Sequence, residues 1–422
     1  MIVPSIDLRR GSAVQLVEGR TLALDAGDPL AVAERFAVAG RLAVIDLDAA
    51  FGEGHNRPIV HELVRRYPCD VGGGVRSVEA ALSLLDAGAE RVILGTAASP
   101  DLLSQLPRRR VVAALDNRRG EVVVEGWRTA TGQSLFERIE ALRDHVGGFL
   151  VTFVEREGRM AGFDWELVER VVAAAGDAQV TIAGGCRSAE DVARADDLGA
   201  DVQVGMALYT GALDLGDAIA APLRPRADAL VPTVVCDEHS VALGLAWSTR
   251  QSLREAVRTR TGVYWSRSRN ALWRKGETSG AVQRLLRVDL DCDRDALRFT
   301  VRQSPPGFCH RGSWSCFGRG AGIAALSRAL EERLQSPPPG SYTARLCSDP
   351  QLLRRKLLEE AAELAEAATR EEACAESADV LYHALIAAQA RGVSLAEIER
   401  ELDRRALRVR RRGEGAQRES TP

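Results

Sequence analysis

Gly73-Gly74-Val75-Arg76-Ser77 returns about 110 residues later as Gly184-Gly185-Cys186-Arg187-Ser188. Two more pairs keep nearly the same offset, Gly95 with Gly205 and Asp7 with Asp116. One such pair is easily chance; three in register mark an internal duplication. Around these positions, residues 1–221 alternate short apolar runs with amphipathic stretches, the pattern of a βα repeat. Strands are expected at Ile2–Asp7, Leu42–Asp48, Cys69–Gly72, Arg91–Gly95, Val111–Asp116, Phe149–Phe153, Gln179–Ala183 and Asp201–Gly205. Eight strands in just over 200 residues predict a (β/α)8 barrel made of two fused half-barrels, rather than an open sheet.

The full chain of 422 residues is too long for one core, and its composition narrows the remainder. Arg224-Pro225-Arg226 reads as a linker and Gly318–Gly322 as a second one. They divide the chain into a barrel (1–224), a small β-rich α+β domain (228–318) and an all-α domain (322–409), with a polar tail (410–422) expected to be disordered. A net charge of −3 argues against bulk nucleic-acid or membrane-surface binding, and no apolar run approaches a membrane span. The chain opens directly on the strand-like Met1–Asp7, so no signal peptide is expected. The cysteines lie singly or in a metal-like pattern, which suits a reducing cytoplasm. Arginine is abundant, yet Lys275 and Lys356 are the only lysines, so each is a candidate for a position needing a compact amine, with an ordinary exposed helix position an equal alternative for Lys356.

Barrel enzymes carry their reacting groups at the C-terminal ends of the strands. Asp7 and Asp116 end the first and fifth strands and should oppose each other, a pair suited to general acid–base work. Gly73, Gly74 and Arg76, with Gly184 and Gly185 in the other half, and the strand-ending Gly95-Thr96 and Gly205, offer two anion-binding turns. They suit a substrate with a phosphate at each end; the plainer reading is tight turns and helix caps. Met1–Gly19, Asp46-Leu47-Asp48-Ala49-Ala50-Phe51, the Gly-Gly-Gly-Val-Arg-Ser block and Asp116 resemble the barrel isomerase of histidine biosynthesis. The resemblance implies an Amadori rearrangement of ProFAR to PRFAR, with Asp7 as base, Asp116 as acid and Thr152 assisting. The chain departs from that family at Glu157-Gly158-Arg159, where Asp-Gly-Thr is usual, and at Met206, where Arg is usual.

Downstream, Val-Asp-Leu-Asp-Cys-Asp-Arg-Asp-Ala (288–296) is followed by Cys309-His310 and Cys316. If Val288–Ala296 is extended, Asp289, Asp291, Asp293 and Asp295 share one face and Cys292 points to the other. Carboxylates suit magnesium and thiolates suit zinc, and three thiolates leave one zinc position open. An acidic surface strand with scattered cysteines is the plain alternative. With Tyr264–Arg269 and Leu272–Gly280, the segment closely resembles phosphoribosyl-AMP cyclohydrolase. That resemblance implies zinc on Cys292, Cys309 and Cys316, and magnesium on Asp291, Asp293 and Asp295. It further implies substrate contacts from Arg267, Arg269, Lys275, Glu277, Thr278 and Ser279, with His310 as proton shuttle. Zinc-activated water would attack the adenine ring carbon beside N1. Cys292 would reach the metal of a neighbouring subunit, so a homodimer is implied.

In the helical segment, Lys356–Glu363 and Glu376–Asp379 place carboxylates at i, i+3 and i+4 on two helices. Such helices are commonly solvated faces, but Val380-Leu381-Tyr382-His383 gives the second one apolar neighbours. The two motifs, after Gly340-Ser341-Tyr342-Thr343, resemble phosphoribosyl-ATP pyrophosphohydrolase of the MazG-like all-α class, which acts as a dimer. Glu359, Glu360, Glu363, Glu376 and Asp379 would then hold magnesium and position water. The combined expectation is a trifunctional histidine-biosynthesis enzyme using zinc and magnesium, with small phosphoribosyl substrates and no organic cofactor. Its rivals are a bifunctional hydrolase on an inactive barrel, a barrel that also serves tryptophan synthesis, and a housecleaning nucleotide pyrophosphatase.

Overall fold

The computed structural model describes residues 1–409 apart from 18, 20, 125, 126, 128, 226–228 and 319. The expected polar tail (410–422), Arg226 of the first linker and Arg319 of the second lie outside the described residues. Eight parallel strands close on themselves: β1 (Ile2–Arg9), β2 (Leu42–Asp46), β3 (Cys69–Gly72), β4 (Arg91–Leu94), β5 (Val111–Arg118), β6 (Gly148–Phe153), β7 (Gln179–Ala183) and β8 (Ala200–Val204). β5–β6 pairing completes the ring. These strands are buried on both faces, as parallel strands under a helical ring must be. Ile45, Ile93, Val112, Ala114, Leu150 and Ala183 fill the barrel interior from β2, β4, β5, β6 and β7.

The duplication is visible in the local structure. Ser77 and Ser188 each cap a helix, accepting the backbone N–H of Ala80 at 3.2 Å and of Asp191 at 3.4 Å. The repeated serine is therefore a helix start. Each half also carries an unanticipated hairpin after its first strand: Ser12–Val17 with Thr21–Gly27, and Glu121–Val124 with Thr129–Ser134. Their outer strands are largely exposed; Thr129–Ser134 is also polar, which hid it from a search for apolar runs, whereas Thr21–Gly27 carries Leu22, Leu24 and Ala26. The second strand stops at Asp46 instead of Asp48, because the Asp46 carboxylate accepts the Ala49 N–H and starts a short helix over Leu47–Phe51.

Beyond the barrel, β9 (Val231–Cys236), β10 (Ala242–Ser248), β11 (Val263–Ser266), β12 (Ala271–Arg274), β13 (Gln283–Leu290) and β14 (Leu297–Gln303) form a four-stranded sheet, ordered β10-β9-β14-β13, and the β11–β12 hairpin. Five helices follow: α1 (Gly322–Gln335), α2 (Tyr342–Ser348), α3 (Pro350–Glu366), α4 (Arg370–Gln389) and α5 (Leu395–Ala406). Asp349 caps α3 ahead of Pro350, and Thr369 with Glu372 makes a capping box on α4. Leu346, Leu353, Leu385 and Ile386 bind these helices into one apolar core.

The chain divides into two compact units, and the division runs through the β-rich segment. The first holds, among the described residues, those of Met1–Val235 and Leu245–Ser304 together with 404–409. Within it, arginines join sheet to barrel: Arg294 chelates Asp196 at 2.9 and 3.1 Å, and Arg250 donates to the carbonyl of Leu223 at 2.7 Å. The second holds Cys236–Gly244 and Pro305–Asp403. No helix among the described residues is long and apolar enough to cross a membrane.

Candidate active sites

A cavity of about 680 Å³ opens at the C-terminal end of the barrel strands. Asp7, Asp116 and Thr152 line it. Thr152 and Asp116 are register partners on β6 and β5, so their side chains rise into the cavity side by side. Thr152 and the Trp127 indole hydrogen-bond to Asp116, while Ser5 donates to Asp7 at 2.8 Å. Burial nevertheless dominates both carboxyls. It lifts Asp7 to about 6 against the pull of Ser5, and raises Asp116 against the pull of Trp127 and Thr152.

Two lining residues are not among the expected site residues, and Glu157 figures in the sequence only as a departure from the isomerase family. Glu157 follows β6, and its carboxylate lies so close to Gly184 that a Cβ there would sit 2.8 Å from Oε2. Burial, and then the charges of Asp7 and Asp116, push Glu157 up to about 8. Trp127 stands at the tip of the second hairpin, its ring 2.8 Å from where a Cβ of Gly19 on the first hairpin would be. The two hairpin tips thus meet beside the cavity. Glu157 could have been suspected as an acid in the loop after a barrel strand; Trp127 gave no comparable signal.

The expected anion turns all border the cavity: Gly73, Gly74 and Arg76 on one side, Gly95-Thr96 beside them, and Gly184, Gly185 and Gly205 opposite. Gly73 and Gly184 have φ of +95° and +78°, and a Cβ at Gly73 would come within 2.2 Å of the Asp46 carbonyl. Only glycine fits there. The Arg76 guanidinium donates to the Ala50 carbonyl at 2.9 Å, which fixes its position at the rim.

The Asp-rich segment differs from expectation. β13 ends at Leu290, and residues 291–296 turn instead of continuing, with Arg294 at φ +65°. Asp291 closes the turn, its carboxylate accepting the Ala296 N–H at 3.0 Å and its carbonyl accepting from Arg294 at 2.8 Å. A strand would have presented alternate faces; the turn gathers Asp291, Asp293 and Asp295 within 4.8 Å, enough for one cation. Asp289 remains on the strand and pairs with Arg287 and Arg298. Arg267 stacks 4.6 Å from the Trp247 ring, Arg269 reaches Ser266 at 3.2 Å, and Lys275 is only 9% exposed. Glu277, Thr278 and Ser279 form an exposed turn beyond it.

Cys292 belongs to the first unit; Cys309, His310 and Cys316 lie on one loop of the second. His310 is exposed. The Arg311 backbone N–H and the Ser313 hydroxyl draw the Cys309 thiol below its ordinary range, with Cys316 adding a third hydrogen bond. A Cys309 thiol drawn toward the thiolate form, with Cys316 beside it, fits a soft cation. In the helices, Glu360 and Glu363 of α3 and Glu376 of α4 converge within 4.8 Å. Burial, then Glu363, Glu360 and Asp379, raise the Glu376 carboxyl. Glu359 turns aside to Lys356 at 2.8 Å.

The profile of the family described as histidine biosynthesis protein matches residues 1–214 of the 422. The chain belongs to that family. Residues 244–318 match phosphoribosyl-AMP cyclohydrolase, and residues 323–406 match phosphoribosyl-ATP pyrophosphohydrolase. An imidazole-4-carboxamide isomerase of Methanocaldococcus jannaschii is 34% identical over 232 residues, 52% of this chain and 98% of the relative. A histidine biosynthesis trifunctional protein of Neurospora crassa is 54% identical over 187 residues, 44% of this chain. A bifunctional histidine biosynthesis protein of Schizosaccharomyces pombe is 49% identical, also over 187 residues and 44% of this chain. The chain spans only 21% of the first fungal relative's length and 45% of the second's. To the three-part fold these matches add a family for each part, in the order isomerase barrel, cyclohydrolase, pyrophosphohydrolase.

Proposed function

We propose that this chain catalyses three steps of histidine biosynthesis: hydrolysis of phosphoribosyl-ATP to phosphoribosyl-AMP, opening of the adenine ring to give ProFAR, and isomerisation of ProFAR to PRFAR. One observation carries the reading. Three family segments lie in sequence, and each contains a side-chain cluster suited to its own step. The domains run 1–224, 228–318 and 322–409, and the molecule works as a cytoplasmic homodimer. The free state of all eight cysteines supports a reducing compartment.

In the barrel, the facing turns at Gly73-Gly74 and Gly184-Gly185 hold the two phosphates of the substrate. An acid protonates the furanose ring oxygen, and its C1–O bond breaks to leave an iminium. Asp7 then removes the C2 proton, and the enolamine tautomerises to the aminoketose. The proton donor is the coupled pair Asp116 and Glu157, of which Glu157 carries the proton at neutral pH because its carboxyl titrates near 8. Asp7, titrating near 6, is already ionised there.

Cys309 and Cys316, with Cys292 from a neighbouring subunit, would hold zinc, and Asp291, Asp293 and Asp295 would hold magnesium. Zinc in such a site makes water nucleophilic at neutral pH. His310 moves the proton, while Lys275, Arg267 and Arg269 bind the phosphoribosyl group. Glu360, Glu363, Glu376 and Asp379 would hold a second magnesium, which neutralises the polyphosphate. Glu359, fixed by Lys356, flanks that group.

The test supplies purified protein with phosphoribosyl-ATP, magnesium and zinc, and follows products by mass spectrometry after a chromatographic step that separates the isomers ProFAR and PRFAR. PRFAR is the expected end point. Arrest at ProFAR would leave the barrel a scaffold; hydrolysis of ordinary nucleoside triphosphates in preference to phosphoribosyl-ATP would replace the pathway reading with a housecleaning one.

A further inference from the structure

The loop carrying Cys309 and Cys316 is built into the helical unit. Its backbone is tied at both ends: Cys309 N–H donates to the Ser313 carbonyl at 3.1 Å, and Cys316 N–H to the Leu243 carbonyl at 2.8 Å. Between the thiols stands Trp314, whose carbonyl accepts the Phe308 N–H at 3.0 Å. The Trp314 indole N–H donates to Oδ2 of Asp237 at 3.1 Å. Asp237 is 0% exposed, and its other oxygen accepts the backbone N–H groups of His239 and Val241 at 3.1 and 2.9 Å. The remaining partner of Oδ2 comes from α1: Arg328 donates to it at 3.2 Å and lays its guanidinium 4.4 Å from the Trp314 ring centroid.

Two more contacts bind the same turn to the helices. Val241 packs against the apolar core around Leu346 and Leu385. His239 Nδ1 meets Glu399 of α5 at 2.7 Å. A buried carboxylate shared by a cation and an indole gives a fixed orientation to both, because each hydrogen bond uses a separate donor direction. Arg328 lies within the pyrophosphohydrolase match, whereas Trp314 and both thiols lie within the cyclohydrolase match.

We infer that Arg328, in the pyrophosphohydrolase segment, is a positioning residue for the Cys309–Cys316 pair of the cyclohydrolase, acting through Asp237 and Trp314. The inference rests on the reading of those thiols as metal ligands. It makes the ring-opening step dependent on the helical domain for the shape of its thiol loop, even though that domain's carboxylates act on a different substrate. Groups that orient metal ligands without touching the metal commonly change metal affinity by about 10- to 100-fold.

The experiment titrates cobalt(II) into the full-length chain and reads the thiolate-to-cobalt charge-transfer absorption, which reports sulfur ligation directly. Arg328→Ala is expected to move the titration midpoint to about tenfold higher cobalt. Trp314→Phe, which keeps a ring and removes only the indole donor, should move it in the same direction by a smaller factor. Pyrophosphate release from phosphoribosyl-ATP should remain within about twofold of the parent in both, showing that the helices are intact. Cys309→Ala serves as the reference. If it loses the absorption while Arg328→Ala and Trp314→Phe titrate like the parent, the positioning role is wrong. If Cys309→Ala itself titrates like the parent, the metal reading fails instead. Should Arg328→Ala not fold, Trp314→Phe alone decides.

Discussion

The barrel cavity and the α3–α4 face both present several carboxyls, yet they are prepared for opposite tasks. In the barrel, Asp7, Asp116 and Glu157 come from three places in the chain and are raised chiefly by burial. The result is a set of raised acids, Asp7 near 6 and Glu157 near 8, that can exchange protons. On the helices, Glu360, Glu363 and Glu376 crowd within 4.8 Å, with Glu360 buried, Glu376 half-buried and Glu363 exposed. Burial and mutual repulsion both disfavour the charges there, and a divalent cation relieves the repulsion. Deeply buried acids drawn from separate elements make a proton-transfer site; a tighter cluster on a half-open helix face makes a cation site.

The contrast breaks most visibly if the barrel carboxyls are replaced by amides. Asp7→Asn should lower kcat for ProFAR isomerisation by about 10²- to 10⁴-fold, the usual contribution of a positioned acid or base. Release of pyrophosphate by the same protein should be unchanged. A loss of less than tenfold would mean that Asp7 is not the base. Glu376→Gln tests the other side. Removing one of three clustered ligands should reduce pyrophosphate release about 100-fold at low magnesium, with partial recovery as magnesium is raised. Loss that no magnesium concentration relieves would show that Glu376 acts on water or substrate rather than on a cation.

How much of this could be read from the chain differs between the two regions for a physical reason. The barrel was legible because duplication repeats its turn chemistry: Gly73 must be glycine at φ +95°, and Ser77 must cap a helix, so the same letters return at Gly184 and Ser188. The hairpin strand Thr129–Ser134 was not, since it is polar and carries no apolar alternation; Thr21–Gly27 does alternate, through Leu22, Leu24 and Ala26, and was overlooked. Glu157 and Trp127 were missed because their importance depends on which loops fold over the cavity, a tertiary fact. On the helices, i, i+3 spacing put Glu360 and Glu363 on one face, where they meet Glu376, but the same periodicity could not show that Glu359 would turn to Lys356. For the Asp-rich segment, alternation suggested a strand, whereas Arg294 in the left-handed region and the Asp291 side chain make a turn.

The pH dependence sharpens the barrel half of the contrast. Asp7 must be ionised to act as base, so kcat/KM for isomerisation should fall, about tenfold per unit, as pH drops below about 6. The donor must be protonated, so it should also fall above about 8. Glu157→Gln should abolish the alkaline limb and lower the plateau. A parent profile flat from pH 5 to 9 would contradict both assignments.

The smallest effect concerns stability, and its sign distinguishes a buried acid from a merely hidden one. Asp7 is raised from 3.8 to about 6 in the folded state, so the folded protein binds more protons than the unfolded chain between those values. Stability is therefore greatest below pH 4 as far as this group is concerned, and declines as pH rises toward 6. Above that, the ionised carboxylate costs about 3 kcal/mol in its buried setting. Asp7→Asn keeps an acceptor for Ser5 and carries no charge. It should accordingly raise the thermal unfolding midpoint at pH 8 and leave it unchanged near pH 4. Equal midpoints at both pH values would place Asp7 in a hydrated environment, and the proton-transfer character assigned to the barrel would lose its physical cause.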